Sequence, residues 1–242
     1  NNSKHPNEMA GLMRSARRKF LILLLPVLLL PLATPVYAAA STTLSSKAEH
    51  VVKRNGSPIG TLNIDFNIDG NSMVATSHYS VKVELMAIVL YRYDKRMTEE
   101  YEGGRLIAYE ADIDDNGTKS QVRVTRNTDA LAIVHPKGTL SAPLNLLPST
   151  YWPPATVKQT RMIDSSDGVL ISVKTVEAAT EDLSIDGRTI SAKRYVMSGD
   201  AVRELWYDAK SGIWLKMKFE GSDGSTIEIE RDWPPTWKRD LL

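Results

Sequence analysis

The chain has 242 residues and no cysteine, which excludes disulfide bonds, thiolate metal sites, a cysteine nucleophile and a lipid-modified cysteine. Its formal net charge is +1, but residues 1–38 hold five of the 30 basic residues and one of the 29 acidic ones. Without that segment 25 basic residues face 28 acidic ones, a net charge of −3, so composition gives no support to nucleic-acid binding.

The beginning of the chain has the arrangement of a secretory signal peptide. A basic stretch at residues 14–19 precedes an apolar run at residues 20–32, and small residues follow. We expect cleavage after Ala38, with Ala40 as the second choice. The apolar run is short for a membrane span and contains two prolines, so we expect no stable transmembrane span after cleavage. The sequence thus predicts a periplasmic or secreted protein that lacks the cysteine needed for lipid attachment.

Alternation of apolar and polar residues predicts strands through the rest of the chain. In the clearest case Leu62, Ile64 and Phe66 alternate with polar residues such as Asp65. Turn signals rich in glycine, asparagine and aspartate separate the alternating segments. The predicted strands span residues 49–54, 62–68, 73–85, 91–102, 106–113, 121–126, 130–135, 169–176, 189–197, 201–207, 213–220 and 225–231.

The longest alternating stretch covers residues 79–101, which as one straight strand would measure roughly 75 Å, far beyond an ordinary strand. The chain must therefore reverse, and the alternation lapses in the apolar segment 86–90, which contains none of the usual turn residues. Because a strand reversal is normally exposed to water, we expect this segment to lie at the rim of a curved sheet. There it would close over the interior or over a bound apolar molecule.

The predicted fold is all-β: a single, mostly antiparallel, strongly curved sheet or half-open barrel built as a meander. Residues 144–165 break the pattern and are rich in proline, so we expect a short irregular or helical crossover there. Trp233 and Trp237 are expected to pack back on the sheet. The chain is thus predicted to comprise a signal peptide at residues 1–38 and one β-rich domain at residues 39–242.

Four segments together resemble a family of uncharacterised exported bacterial proteins, classified as a domain of unknown function. The resemblance implies an exported protein with a β-rich fold and brings no particular activity. More distantly, the pattern is similar to the half-open β-barrels of periplasmic lipoprotein carriers, a likeness of architecture that does not confer function. The matching segments, in order over nearly the whole predicted domain, are residues 52–60 (VKRNGSPIG), 90–93 (LYRY), 147–152 (LPSTYW) and 205–208 (LWYD).

The sequence contains no recognisable catalytic or metal-binding motif. Residues 112–117 imitate the first half of a calcium-binding EF-hand loop, but Arg123 occupies the position of the bidentate glutamate, so we expect a β-turn. The histidines form no ligand cluster, and Ser149 is expected to be a structural turn residue because no partner base is evident. Neighbouring carboxylates such as Glu99 and Glu100 are attributed to solvated edges and turns. We therefore predict no cofactor and no metal site.

Aromatic residues of the strands and the crossover could line an apolar pocket, although packing in an ordinary core is the simpler explanation. A large curved sheet with few helices nevertheless needs its concave face filled by side chains, a ligand or a partner. The candidate ligand-binding residues are Tyr79, Met86, Ile88, Leu90, Tyr91, Tyr93, Tyr151 and Trp152.

Three functions are compatible with these features. The main hypothesis is an exported, non-enzymatic protein that binds an apolar small molecule or lipid, and a tyrosine-lined cavity would favour it. The alternative is a structural or assembly partner of envelope proteins, which an exposed apolar turn would favour. The third is an enzyme with an unrecognised site, which titratable residues converging in a cleft would favour.

Overall fold

A single sheet of fourteen strands accounts for most of the residues that the computed structural model describes, 43–185 and 187–232. The predicted signal peptide and the predicted packing of Trp233 and Trp237 lie outside those residues. The strands are β1 (Leu44–Arg54), β2 (Ser57–Asp69), β3 (Ser72–Leu85), β4 (Ile88–Glu102), β5 (Arg105–Asp115), β6 (Thr118–Arg126), β7 (Leu131–His135), β8 (Gly138–Ala142), β9 (Arg161–Ile163), β10 (Leu170–Ile185), β11 (Arg188–Gly199), β12 (Arg203–Asp208), β13 (Trp214–Glu220) and β14 (Thr226–Arg231).

Neighbouring strands are antiparallel throughout this sheet, in the order β8-β7-β6-β5-β4-β3-β2-β1-β14-β13-β12-β11-β10-β9. Two meanders therefore meet where β1 pairs with β14, with His50 opposite Arg231. The predicted all-β meander is confirmed. The sequence pattern does not predict β8 and β9, because β8 has a single large apolar residue, Leu140, and β9 has only three residues, so neither shows a clear alternation.

The crossover that joins the edge strands β8 and β9 is part of the core. It includes a 3₁₀ helix at Pro154–Lys158, and Leu147 and Trp152 are buried, so the predicted irregular or helical crossover is confirmed. The backbone groups of Ile163 in β9 hydrogen-bond to the Leu147 carbonyl at 3.0 Å and to the Ser149 N–H at 2.9 Å. These bonds cover part of a sheet edge that would otherwise be free to pair with another chain.

The loop between β9 and β10 reaches back to the opposite end of the sheet. Gly168 in this loop has a φ of +76°, and a Cβ atom there would lie 2.6 Å from the Cβ of His135 in β7. The Tyr109 hydroxyl of β5 donates a hydrogen bond to the carbonyl of Ser165 in the same loop. The two ends of the open sheet are therefore in contact through this loop, which gives the half-open barrel that the sequence predicts.

The reversal between β3 and β4 is a two-residue turn rather than a five-residue bend. Met86 and Ala87 form it, with φ of 50° and 64°. Positive φ at both positions is the type I′ geometry that Asn-Gly normally occupies. Met86 is 90% exposed and Ile88 65%, so the prediction that the segment closes over the interior of the sheet is wrong, whereas closure over a bound apolar molecule stays a prediction. Two extended strands carry the turn away from the packed sheet, and every residue from 84 to 92 is exposed.

The alternation assigns the buried face of the sheet correctly at the positions where we predicted it. Phe66 is 2% exposed, and its ring meets that of Trp152 edge-on at a centroid distance of 5.0 Å. Its neighbour Asp65 forms an exposed ion pair with a lysine of β1 at 2.9 Å. In β4, Tyr93 is half-buried whereas Arg92 is exposed. The predicted phase of β2 and β4 is therefore confirmed.

Candidate functional site

An open apolar groove lies beside the hairpin formed by β3 and β4. Its volume is about 540 Å³, within the range of small-molecule sites. Side chains of β13 and of the turn after it complete the walls, and an ion pair between Arg54 and Asp223 lies in the lining. We call this cavity the tyrosine groove. Its apolar and aromatic lining consists of Ile59, Tyr79, Val81, Val83, Leu90, Tyr91, Tyr93, Phe219 and Ile227.

A smaller cavity of about 180 Å³, which we call the inner pocket, adjoins the tyrosine groove. Tyr79, Tyr93 and Phe219 line both cavities, so these three side chains form a wall that the two cavities share. The site thus changes from apolar in the groove to polar and charged in the pocket. The polar side chains of the inner pocket include Lys95, Ser149, Tyr151, Asp164, Ser165, Ser166 and Arg203.

Lys95 is a buried lysine of the inner pocket, only 4% exposed. Its Nζ donates hydrogen bonds to the Oγ of Ser165 at 2.7 Å and of Ser166 at 3.2 Å. Burial lowers the pKa of Lys95 from 10.5 to about 8, while the negative charges of Asp164 and Glu99 oppose that shift. The side chain therefore carries a buried positive charge at neutral pH whose direct partners are neutral hydroxyls.

Because of this buried charge, we expect the free energy of unfolding to increase with pH in the alkaline range. Between pH 8 and pH 10.5 the unfolded lysine keeps its proton while the folded one has lost it, so the free energy of unfolding increases with pH. Urea denaturation across this range, compared with Lys95→Met, measures the effect. A Lys95→Met variant that follows the same pH dependence as the unmodified protein would contradict the assignment.

The contact between Lys95 and Ser165 has the composition of a catalytic serine–lysine pair, but its hydrogen bonds favour a structural role. Below the pKa of about 8, Lys95 is chiefly an ammonium group, which donates to the serine and cannot accept its proton. The Ser165 Oγ also lies 3.3 Å from the Ser149 carbonyl, and its backbone N–H donates to the Ser149 Oγ at 3.0 Å. These contacts anchor the β9–β10 loop to the crossover.

Glu99 is a fully buried carboxylate on the same strand. It accepts hydrogen bonds from Trp152 Nε1 at 2.6 Å, from the Tyr101 hydroxyl at 2.7 Å and from the Thr150 hydroxyl at 3.2 Å. Attributing Glu99 to a solvated edge is therefore wrong, because β4 lies inside the sheet and this residue is on its inward face. Two of these donors, Thr150 and Trp152, flank Tyr151, so Glu99 holds the crossover turn that carries Tyr151 to the inner pocket.

Tyr151 lies on that turn with a φ of 65°, in the left-handed region that residues other than glycine rarely adopt. The Tyr207 hydroxyl donates a hydrogen bond to the Tyr151 carbonyl at 2.6 Å. The Tyr151 hydroxyl faces Arg203 and Ser149. A left-handed conformation of this kind costs roughly 1–2 kcal/mol, and such strain is concentrated at functional sites. Here it accompanies the placement of an aromatic ring against the inner pocket.

The structure brings most of the candidate ligand-binding residues together. Met86 and Ile88 are the exceptions, because they lie exposed at the hairpin turn and do not line either cavity. The candidates that line the tyrosine groove, the inner pocket or both are Tyr79, Leu90, Tyr91, Tyr93, Tyr151 and Trp152.

Sequence reasoning missed Lys95, Glu99 and Arg203. For the first two a signal was present, since the inward phase that contains Tyr91 and Tyr93 continues through residues 95 and 99. A charged residue on the buried face of a strand indicates that its charge is paired or hydrogen-bonded in the interior, or that it has a functional role. Arg203 has no such signal, because β12 is short and its alternation does not separate two faces clearly.

The part of the chain that the structure describes offers no group of three or more histidine, aspartate and glutamate side chains that could hold a metal ion. The calcium-like segment is a hairpin turn, as predicted, with Asn116 and Gly117 at φ of 52° and 93°. No helix within residues 43–185 and 187–232 is long and apolar enough to cross a membrane.

A wider hollow of about 760 Å³ lies over β4 to β7. Charged groups of both signs line it, including Asp94, Arg96, Asp112 and Arg123. Several of them pair with near neighbours: Asp112 accepts from Gln121, and Arg123 donates to Glu110 at 2.7 Å. These contacts are typical of a solvated outer face, so we take the tyrosine groove as the candidate site.

The sheet and the two adjoining cavities beside it define an open, β-barrel-like protein. The chain belongs to the family described as Domain of unknown function (DUF6134), whose model matches residues 51–232. It is also similar to the crystal structure of a beta-barrel-like protein of domain of unknown function DUF1849 from Brucella abortus, with a TM-score of 0.55 and 10% identity over 79% of this chain and 95% of that chain. At that identity the likeness establishes the fold alone. No curated protein matches the chain.

Proposed function

We propose that the protein is an exported, non-enzymatic binding protein for a molecule with an apolar chain. The observation that carries this proposal is the tyrosine groove, an open cavity of about 540 Å³ with apolar and aromatic walls. A protein interior is otherwise packed to high density, and an apolar cavity with a few convergent polar groups is the usual form of a ligand site. The inner pocket supplies those polar groups.

Two aspartate substitutions on the same hairpin test this proposal. Leu90 lines the tyrosine groove, whereas Ile88 is exposed without lining it. We expect Leu90→Asp to weaken uptake of a soluble fluorescent fatty acid by about tenfold, because a charge in the groove is costly to desolvate, while Ile88→Asp retains uptake. Equal uptake by both variants and the unmodified protein, with thermal stability kept in each, would contradict binding in the groove.

Residues 14–40 support export, because basic, apolar and small residues follow one another there in the order of a signal peptide. We expect the intact mass of secreted protein to correspond to a chain that starts at Ala39, or at Ser41 for the second cleavage choice. Recovery of the full-length chain alone, in the cytoplasm, would contradict export.

A second candidate function is docking on a membrane through the β3–β4 turn. Five large apolar side chains there are exposed, and clusters of this kind mark interaction sites. Ile88 and Val89 are successive strand residues and so project from opposite faces. A bilayer would surround both faces, whereas a groove on a partner protein would cover one. The exposed apolar side chains are Leu85, Met86, Ile88, Val89 and Leu90.

Charge and backbone geometry support this second candidate. Behind the turn, Lys82 lies opposite Arg92 and forms an ion pair with Glu84 at 2.6 Å, so Arg92 is the cation there that an anionic lipid head group would contact. Met86 and Ala87 occupy a turn whose geometry suits Asn-Gly far better. The turn thus has an unfavourable backbone conformation and exposes apolar side chains to water. A contact with lipid would remove those side chains from water.

The variant Met86→Asn with Ala87→Gly separates folding from docking. It fits the type I′ turn, so we expect stability in urea to rise by roughly 1 kcal/mol while sedimentation with phosphatidylglycerol vesicles falls. If the unmodified protein does not bind such vesicles, the membrane is excluded and an envelope protein becomes the partner that the turn would contact.

A further inference from the structure

Two positive charges of the inner pocket have no carboxylate paired with them. Lys95 donates to the hydroxyls of Ser165 and Ser166. Arg203 donates to its neighbouring Val202 carbonyl at 2.8 Å and packs over the Phe219 ring at 4.4 Å. Its buried Nε finds no acceptor in the described part of the chain, and the salt bridges formed there include neither cation.

The acidic groups nearest to these cations make hydrogen bonds elsewhere. Asp164 Oδ1 accepts the backbone N–H groups of Ser166 at 2.8 Å and of Asp167 at 3.2 Å. The carboxylate of Glu99 accepts its hydrogen bonds from Trp152, Tyr101 and Thr150. Asp164 and Glu99 therefore moderate the field at Lys95 from a distance without forming an ion pair with it.

Tyrosine hydroxyls add neutral donors to the same pocket. Burial raises the pKa of both Tyr79 and Tyr93, so both phenols stay protonated at neutral pH. Tyr79 lies opposite Lys95 in the register of β3 and β4, and the side-chain hydrogen bonds among described residues do not use its hydroxyl. The Tyr93 hydroxyl lies 3.3 Å from the Ser166 Oγ. Donors therefore converge where the groove meets the pocket.

We propose that the inner pocket binds the carboxylate head of a ligand whose apolar chain lies in the tyrosine groove, which makes the ligand a long-chain carboxylic acid. This inference rests on the proposed function and adds the identity of the head group. Charge-assisted hydrogen bonds from Lys95 and Arg203 to a carboxylate are about twice as strong as neutral ones. The bound anion would also offset the cost of burying the Lys95 ammonium group.

The pocket suits a single negative charge better than a phosphate. Its volume of about 180 Å³ is small, and Asp164 lies in the lining beside the two cations. The carboxylate of Asp164 would repel a dianion more strongly than a monoanion. Lys95 and Arg203 against Asp164 leave a net charge of +1 among these three side chains, which one carboxylate neutralises.

Displacement of a fluorescent fatty acid at neutral pH tests this assignment. The competitors are palmitic acid, hexadecanol and hexadecyl phosphate, which share one chain and differ in the head group. We expect the acid to bind about tenfold or more tightly than the alcohol, a difference of roughly 1.4 kcal/mol. Lys95→Met and Arg203→Gln should each remove most of that difference, whereas Lys174→Met, an exposed charge on β10, should leave it unchanged.

Hexadecanol distinguishes two ways in which the proposal can be wrong: the head group is not a carboxylate, or the groove does not bind an apolar chain. If neither acid nor alcohol displaces the probe, the proposed function itself fails. If both bind equally well, and the variants change neither, the carboxylate assignment is overturned while groove binding stands. Tighter binding of the alkyl phosphate than of the acid would also overturn it. Because hexadecanol binding needs an intact groove, its retention by Lys95→Met and Arg203→Gln shows that these variants are folded.

Discussion

Replacing Glu99 with alanine should lower the free energy of unfolding by about 3–5 kcal/mol, because three hydrogen-bond donors converge on this one carboxylate. The carboxylate is fully buried and accepts hydrogen bonds from Trp152, Tyr101 and Thr150. Alanine would leave these donors without an acceptor, and each unsatisfied buried donor costs roughly 1–3 kcal/mol. Urea denaturation followed by tryptophan fluorescence measures the loss, since Trp152 reports directly on the site.

Glu100 provides the matched control for Glu99. It is the next residue on the same strand and is exposed, so Glu100→Ala should change stability by less than about 0.5 kcal/mol. Equal losses in the two variants would mean that the inward phase of β4 is misassigned.

The ionisation of Glu99 should make stability depend on pH. Burial raises its pKa above the usual 4.5, although the hydrogen bonds from Trp152, Tyr101 and Thr150 and the charge of Lys95 oppose the rise. As pH increases through that window the unfolded chain loses its proton first, so this contribution to stability is present at low pH and declines as pH rises. Glu99→Gln should lack the decline, and an identical pH profile in that variant would contradict the raised pKa.

Replacing Phe66 with alanine should also cost about 3–5 kcal/mol. The side chain is buried in β2 and packs edge-on against Trp152 at 5.0 Å. Alanine would leave a cavity at the junction of the sheet and the crossover, where the hydrogen bond from Trp152 to Glu99 limits relaxation. The midpoint of urea denaturation is expected to fall without a change in its slope.

Asp65 is the control for Phe66, since it lies next in sequence on the opposite face and forms an exposed ion pair at 2.9 Å. Asp65→Ala should change stability by less than about 0.5 kcal/mol, as is usual for surface positions. A loss as large as that of Phe66→Ala would show that β2 is one residue out of register.

The sequence predicts most of the sheet because period-two alternation is a local signal. Phe66 and Asp65 fall on the faces that the pattern assigns, and Asn116-Gly117 forms the expected turn. The turn at Met86 and Ala87 could not be predicted in this way, because its residues lack the usual preference for positive φ. Long-range pairing, such as β1 with β14, leaves no trace in a single local pattern.

The candidate site is predictable only in part. Tyr79, Tyr93 and Tyr151 could be named as lining residues because aromatic side chains recur on one strand face and in the crossover. Lys95 and Glu99 lie on the inward face of β4. Charged side chains are mostly exposed to solvent, so each of these residues considered alone would be predicted to be exposed. Their partners lie in the crossover and the β9–β10 loop, and only the folded chain brings these segments together.

The position of β14 in the sheet bears on the order in which the protein can fold. Every neighbouring pair of strands is consecutive in the sequence, except β1 with β14. Each meander can therefore form from local contacts, which are entropically cheap and fast. β14 belongs to the second meander through its hairpin with β13, so the non-local pairing of β1 with β14 joins the two meanders and is expected to be the slow step of folding. A chain that ends before Thr226 would keep its other hairpins but would leave β1 and β13 as unpaired edge strands, which are prone to aggregation.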